Sequence, residues 1–453
     1  MGSSVALDAV ATKVSREEAR FHQDTVADLL KRPHVGFPGA QPVSFARKHL
    51  FELEKTDYFV AEKTDGIRCL LYLTTITHPT TGEQIEAQYF IDRKNDYYYI
   101  EHNYLHIPPI NMKAGPNEPK YLLLNWHVGT ILDGELVRDR YPNGKEELTF
   151  LVFDMLALDN ECITHRTFDT RVGKIGIVLD PLKDFMRDYP EDADAMRFQL
   201  RRKDPQLGYA AEMMFKDVIP KLTHGNDGLI YTCRSTPYVA GTDPHILKWK
   251  PPHENTIDFR LQLGSFPLEE DDEGSYEDFD QKPEFALLVY HGDRTKYSKF
   301  ADLYLTDEEW EAMKSMNEAF DWRIIECWRE ADTGRWRPKL DEGKPRFRDD
   351  KEHANHISTV DSVLESIEDA VSEQDLIDAA GRIKAAWKER AAQAAQKAAQ
   401  KKEQEKRELH EQRKRQEAMK AQQAQEAAQR ASAAKSANEV KEEEDDQPRY
   451  EDE

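Results

Sequence analysis

The sequence predicts an α+β protein in three parts: a larger body of mixed and antiparallel sheets with helices, a small β-barrel, and a polar tail that is helical or disordered. Three observations carry this. Apolar strand-like runs alternate with amphipathic stretches up to residue 250; after Pro251-Pro252 the runs shorten around a single helical stretch; beyond Trp387 large apolar residues nearly vanish. With 453 residues the chain has room for two or three domains, since single cores rarely outgrow roughly 250 to 300 residues.

In order, residues 15–33 predict a short amphipathic helix, and GFPGAQPVSF (36–45) is extended and punctuated by Pro and Gly. YFVAEK, IRCLLYL, QYFIDR and YYYI, between residues 57 and 100, predict strands, the first two forming a hairpin that turns at Asp65-Gly66. Further strands are expected at TILDGELV (130–137), TFLVFDMLAL (149–158), DGLIYT (227–232) and ILKWK (246–250), with helices near 169–188 and 209–219.

The second part, residues 253–360, offers TIDFRLQLGSF, FALLVYHG and RIIECWRE with a helix around DEEWEAMKSM, a pattern that suits an OB-fold. Residues 361–388 carry apolar side chains at helical spacing (Val363, Ile367, Val371, then Leu376, Ala380, Ile383, Trp387), so this segment is expected to pack on the body. Residues 389–453 are low in complexity. Between Trp387 and Val440 only Leu409 and Met419 are large and apolar, too few for a coiled-coil seam, which leaves a solvated single helix or disorder.

Charge excludes some functions. The 63 basic residues against 86 acidic ones leave −23, too acidic for a protein that coats nucleic acid with its whole surface. Residues 269–280 and 440–453 carry −8 and −6 of this, however, so a basic cleft elsewhere remains possible. The four cysteines form no C-x-x-C pair, which argues against a zinc ribbon or a disulfide framework. No run approaches the roughly 18 apolar residues of a membrane span, and the N-terminus lacks a signal-peptide pattern. His102 and His106 in HNYLH have the spacing of two zinc ligands, but no third ligand is near and Pro108-Pro109 leaves little room for a helix.

The first chemical signal is Lys63 in Glu62-Lys63-Thr64-Asp65-Gly66-Ile67-Arg68, a lysine ending an apolar strand beside a tight turn. Alone it reads as a solvated turn lysine. Downstream, in order, stand Asp133-Gly134-Glu135, Phe153-Asp154, Asp227-Gly228-Leu229-Ile230, and Leu247-Lys248-Trp249-Lys250-Pro251. Lys248 and Lys250 share one strand face at period two, which is unfavourable on an apolar strand without an anionic partner.

These motifs, with Arg346-Phe347-Arg348-Asp349-Asp350-Lys351, resemble the covalent nucleotidyltransferase superfamily, and more closely the mRNA capping guanylyltransferases, over residues 36–356. The resemblance makes 1–252 a nucleotidyltransferase domain. It implies that Lys63 is the nucleophile that takes GMP from GTP as a phosphoramidate and passes it to a 5′-diphosphate RNA end. A protonated lysine is a poor nucleophile; Arg68, Lys248 and Lys250 are expected to surround Lys63 and the α-phosphate. Arg93 and Glu135 correspond to ribose contacts, Phe153 to the aromatic stacked on guanine, Lys203 (beside Arg201 and Arg202) to a guanine O6 donor, and Asp258 to a polar contact past the domain junction. Asp227 is the expected carboxylate for Mg²⁺ or Mn²⁺. Arg348 and Lys351 correspond to cations that reach the β- and γ-phosphates when the second domain closes. Between Trp336 and Arg346 the spacing exceeds the family's, and this insertion, with Pro338 and Pro345, is expected to loop out. Bland alternatives are that Phe153 is strand core and that Lys203 belongs to a solvated basic cluster.

Competing functions are an ATP-dependent polynucleotide ligase, disfavoured because ligases usually carry Glu at the Asp227 position, and a non-catalytic adaptor using the helical tail. About 40 residues precede the body and no H-C-x₅-R motif is present, so a separate RNA 5′-triphosphatase subunit is expected as partner. The phosphorylated C-terminal tail of RNA polymerase II and a nuclear location follow from the resemblance.

Overall fold

The computed structural model describes residues 6–78, 80–101, 127–191, 196–271, 274–293 and 296–445. The HNYLH pair lies outside them. No described helix is long and apolar enough to cross a membrane. Residues 1–384 form one compact unit and 385–453 another.

The first unit is built on three sheets. An eight-stranded sheet runs Thr12–Lys13, Tyr97–Tyr99, Gln84–Asp92, Ile67–Thr77, Thr130–Arg140, Glu146–Leu158, Gln199–Arg202, with Glu161–Cys162 beside Glu146–Leu158. Both faces of its central strands are covered. Cys69, Leu71 and Leu73 meet Ile175, Val178 and Leu179 of the helix Phe168–Asp188, while Leu70 and Tyr72 meet Val26 and Leu30 at the other side. This double burial explains why IRCLLYL reads as a continuous apolar run. Ser15 caps the helix Arg16–Leu29 by accepting from Glu18 N at 3.2 Å.

A five-stranded sheet runs Gln206–Leu207, Tyr58–Thr64, Asn226–Cys233, Gly241–Trp249, Ala40–Ser44. Alternation divides its residues. Tyr58, Val60, Leu229, Tyr231, Leu247 and Trp249 face a core that also takes in Val371, Leu376, Ala379 and Ile383, whereas Phe59, Ala61, Lys63, Ile230, Lys248 and Lys250 face the cleft between the two sheets.

The expected hairpin at Asp65-Gly66 does not form. Tyr58–Thr64 pairs with Asn226–Cys233, and Ile67–Thr77 pairs with Gln84–Asp92 and Thr130–Arg140, so the two residues are a corner where the chain leaves one sheet for the other. A Cβ on Gly66 would lie 2.6 Å from Leu136 O, so only glycine lets the corner pass this close to the neighbouring strand.

The third sheet runs Tyr297–Asp302, Phe285–Tyr290, Thr256–Leu263, Ile324–Arg329, Trp336–Pro338. A bridge between Leu303 and Trp336 joins its ends, closing it into a small barrel around Ile257, Phe259, Leu287, Ile325 and Trp336. The helix Asp307–Ser315 packs Trp310 and Met313 into that core and opens with a capping box between Thr306 and Glu309. The insertion before Arg346 does not loop out. Leu340–Asp341 and Lys344–Pro345 make a short hairpin, after which Glu326 N donates to Arg346 O (3.0 Å) and Arg348 N to Ile324 O (2.7 Å). Pro338 and Pro345 both sit on edge strands, where a missing N–H is tolerated. The acidic stretch near 269–280 contributes a hairpin, Leu268–Asp271 with Gly274–Glu277.

The 361–388 segment is broken rather than continuous. One helix, Ile357–Glu368, ends before Val371, and a second, Glu373–Asp445, starts where Ser372 and Asp375 exchange capping bonds. In the second unit that helix continues to Asp445, with every side chain from 391 to 433 exposed, so over that stretch the tail is a solvated single helix.

Candidate active site

Lys63, Arg68, Arg93, Glu135, Phe153, Lys203, Lys248, Lys250 and Lys351 all line one cleft of about 490 Å³ between the first two sheets. The chain thus brings together nine of the twelve expected residues. Asp227, Asp258 and Arg348 stand behind its lining.

Lys63 Nζ donates to Asp227 Oδ1 at 2.6 Å, and Lys250 Nζ lies 2.8 Å from Asp227 Oδ2. The carboxylate is aimed between two lysines by an irregularity in its strand. Pairing shifts between Asn226 and Leu229, and Gly228 has φ +147°, with Trp249 O only 2.0 Å from where a Cβ would be. Asn226 Nδ2 ties the strands by donating to Lys63 O (3.0 Å) and Gly228 O (2.8 Å). Burial pushes Asp227 up, but the ammonium groups of Lys250 and Lys63 outweigh it and hold its pKa below the ordinary carboxylate value. Among the described residues no carboxylate forms an ion pair with Lys248, and Asp227 raises its pKa only weakly. Burial, then Lys250, Lys63 and Arg93, lowers its pKa from the ordinary lysine value.

Arg68 differs from expectation. Its Nε and one terminal nitrogen hold Asp133 at 3.0 and 2.6 Å, its other nitrogen donates to Ala40 O, and Tyr238 donates to the same carboxylate at 2.5 Å. It is a wall of the cleft committed to Asp133, and the arginine that acts on Lys248 is Arg93 instead. Arg93 is itself held by Gln41 Oε1 at 2.8 Å. Glu135 is engaged within the protein: its oxygens accept from Thr64 Oγ1 (2.7 Å) and Gly66 N (3.2 Å), so it fixes the corner that follows the lysine.

Phe153 is not strand core. Gly134 pairs with Val152 and Asp133 with Asp154, which leaves Phe153 as the extra residue of a β-bulge. The bulge turns a half-buried ring into the cleft, flanked by Arg68 at 5.3 Å and Lys203 at 5.7 Å, while Phe150 stays fully buried. Lys203 does not belong to a solvated cluster either. It is 6% exposed and donates to Glu62 O (3.0 Å) and to Thr64, whereas Arg201 pairs with Asp139 and Arg202 is exposed.

Asp258 is an anchor rather than a wall of the cleft. Buried, it pairs with Lys351 and, at 3.4 Å, with Arg348, so it holds the cation that the barrel extends into the cleft. Arg348 is further engaged by Asp350 at 2.7 and 2.8 Å and does not line the cleft.

Sequence reasoning missed Asp133, Tyr238 and the buried pair Asp154 with Arg171, bidentate at 2.8 Å. Asp133 and Asp154 carried a signal, each being a charge within an apolar strand that demands a partner. Tyr238 carried none.

Among the described residues no group of three or more His, Cys, Asp or Glu could cage a metal. One ionised carboxylate, Asp227, directly behind the cleft-lining lysines Lys63 and Lys250 still fits Mg²⁺ or Mn²⁺, because such an ion takes one or two carboxylates and completes its shell with substrate phosphates and water.

A cleft lined by Lys63, Lys248 and Lys250 together with the ring of Phe153 fits a nucleotidyltransferase, and the chain's relatives specify which. The family model described as mRNA capping enzyme, catalytic domain, matches residues 6–252, and that described as mRNA capping enzyme, C-terminal domain, matches 254–377. The chain is 46% identical over 396 residues to mRNA-capping enzyme subunit alpha of Neurospora crassa, covering 84% of this chain and 93% of that one. It is 44% identical to the protein of the same name from Schizosaccharomyces pombe (83% and 87% covered) and 38% identical to that from Saccharomyces cerevisiae (80% and 82%). The chain belongs to the mRNA capping enzyme family. Among solved structures it is similar to the bacteriophage T7 ATP-dependent DNA ligase in complex with ATP, at 14% identity and TM-score 0.30 over 66% of this chain and 96% of that chain, a likeness too slight to bear an argument.

Proposed function

We propose that this chain is an mRNA guanylyltransferase in which Lys63 Nζ attacks the α-phosphorus of GTP. A P–N bond forms, pyrophosphate leaves, and the GMP then passes to the terminal phosphate of a 5′-diphosphate RNA, freeing the lysine. The observation that carries this is the convergence of Lys63, Lys248 and Lys250, from one sheet, and Lys351, from the barrel, on one cleft with a nucleobase-sized aromatic wall.

In this reading Phe153 stacks on guanine, Lys203 lies at the base edge, and Arg93 and Glu135 face the ribose. Lys248 and Lys250 hold the α-phosphate, and Lys351, steadied by Asp258, orients the leaving pyrophosphate together with Arg348. Asp227 positions the Lys63 amine and would hold Mg²⁺ or Mn²⁺, which when bound supplies charge neutralisation at the phosphates.

The fungal relatives are named as alpha subunits, and a second subunit is accordingly proposed here, a separate RNA 5′-triphosphatase that prepares the diphosphate end. A nuclear location and the phosphorylated tail of RNA polymerase II complete the proposal. The test is transfer: the isolated GMP adduct, mixed with 5′-diphosphate RNA, yields a GpppN end, while sealing of a nicked duplex in its place would favour the ligase reading.

A further inference from the structure

A second hollow, of about 530 Å³, opens on the barrel and is lined by Arg260, Gln262, Tyr297, Lys299, Trp322 and His353 among others. It is linked to the catalytic cleft through neighbouring residues of two segments. On the strand Thr256–Leu263, Ile257, Phe259 and Leu261 point into the barrel core, while Asp258, Arg260 and Gln262 share the outer face. Asp258 holds Lys351 of the catalytic cleft, and Arg260, about 7 Å further along the same face, belongs to the second hollow. Glu352 and His353, next in sequence to Lys351, line it from the other side.

Its chemistry is cationic and aromatic. The terminal nitrogens of Arg260 donate to Trp322 O (2.9 Å) and Glu352 O (2.8 Å), and its guanidinium lies 4.8 Å over the Tyr297 ring. Among the described residues no carboxylate pairs with Arg260, and its Nε is buried without a hydrogen-bond partner. Trp322 is 48% exposed although its backbone is held at φ +63°, a conformation a bulky residue adopts only under constraint. The constraint is local: Trp322 N donates to Leu261 O at 2.8 Å, and Arg260 takes its carbonyl. A rigidly presented, solvent-facing indole beside an uncompensated guanidinium is a stacking platform with a phosphate site. Lys299, at the rim, is exposed and pairs with Asp302 at 2.6 Å.

We propose that this hollow binds the acceptor RNA just downstream of its 5′ end, with a base on Trp322 and a phosphodiester at Arg260. The proposal rests on the guanylyltransferase reading, which requires an RNA chain to leave the catalytic cleft, and it gives that chain a path past Lys351. It also explains how a protein of charge −23 engages RNA through one short track.

The experiment uses the full chain, with circular dichroism confirming each variant's fold. Single-turnover transfer from the isolated adduct is measured to a nucleoside 5′-diphosphate and to a 5′-diphosphate pentaribonucleotide, each rate divided by that variant's own adduct-forming rate. Binding of a 3′-dye-labelled pentanucleotide is followed by anisotropy without GTP. Trp322→Ala and Lys299→Glu are each expected to weaken pentanucleotide binding and raise its half-saturating concentration about tenfold, with no shift for the nucleoside diphosphate. Equal effects on both acceptors, or none on the pentanucleotide, overturn the proposal. So does loss of phosphoserine-peptide binding with RNA binding intact, which would make the hollow a peptide site. If the wild-type chain forms no adduct, the guanylyltransferase reading fails, while the anisotropy comparison still decides whether the hollow binds RNA.

Discussion

Lys63 and Asp227 form an ion pair at 2.6 Å across two neighbouring strands of one sheet, and Lys250 holds the opposite carboxylate oxygen at 2.8 Å. Lys63, the proposed nucleophile, is therefore positioned by an acid that also separates it from a second cation. Asp227→Asn removes the charge and leaves the shape. Adduct formation from GTP is expected to slow about a hundredfold, corresponding to ~2.7 kcal/mol, and to demand more Mg²⁺, as measured by labelled-GTP incorporation across a metal titration.

Lys248 sets a proton linkage. Its folded pKa is lowered from 10.5 by burial and by Lys250, Lys63 and Arg93, so between that lowered value and 10.5 it carries fewer protons than a free lysine. A bound triphosphate favours its charged form. Binding therefore takes up protons in this window, and GTP affinity falls as pH rises through it. Calorimetry in two buffers of different ionisation enthalpy reads the uptake, and Lys248→Met is expected to abolish it.

Phe150 and Phe153 separate packing from binding on one strand. Phe150→Ala empties a fully buried site and is expected to cost about 3 to 5 kcal/mol in denaturant unfolding. Phe153→Ala removes a ring that faces the cleft. It is expected to destabilise the fold far less and to raise the GTP concentration for half-maximal adduct formation roughly tenfold.

Asp133 is fully buried and neutralises Arg68, which is 16% exposed. Asp133→Ala leaves that guanidinium uncompensated, and a loss of about 3 to 5 kcal/mol of unfolding free energy is expected. Thermal and denaturant unfolding of the variant check it.

The site was legible in the sequence to the extent that a member is a charge or aromatic set in an apolar strand, in places beside a glycine. Glu135 and Asp227 stand beside a glycine, Lys63 stands at the end of its strand three residues before Gly66, Lys248 and Lys250 are charges on one face of an apolar strand with no glycine beside them, and all five meet at the cleft or directly behind it. What stayed hidden depends on partners distant in sequence. A tight turn between two apolar strands looks the same whether they pair with each other or, as around Asp65-Gly66, with different sheets. The bulge that turns Phe153 outward breaks the period-two rule by which it would be judged. Asp258 was expected at the nucleotide because the family resemblance implies a polar contact just past the domain junction, but its two cationic partners come from about 90 residues later and draw it behind the cleft wall. The prolines of the 338–345 insertion suggested a loop because edge-strand positions, where proline is harmless, are set by tertiary structure alone.

The most direct test of the central claim is covalent labelling mapped to a residue. The chain is incubated with divalent metal and either labelled GTP or labelled ATP, and the adduct is located by peptide mass spectrometry. GMP on Lys63, absent in a folded Lys63→Ala variant, is the expected result; an adduct from ATP only, or one undiminished in Lys63→Ala, would contradict the account.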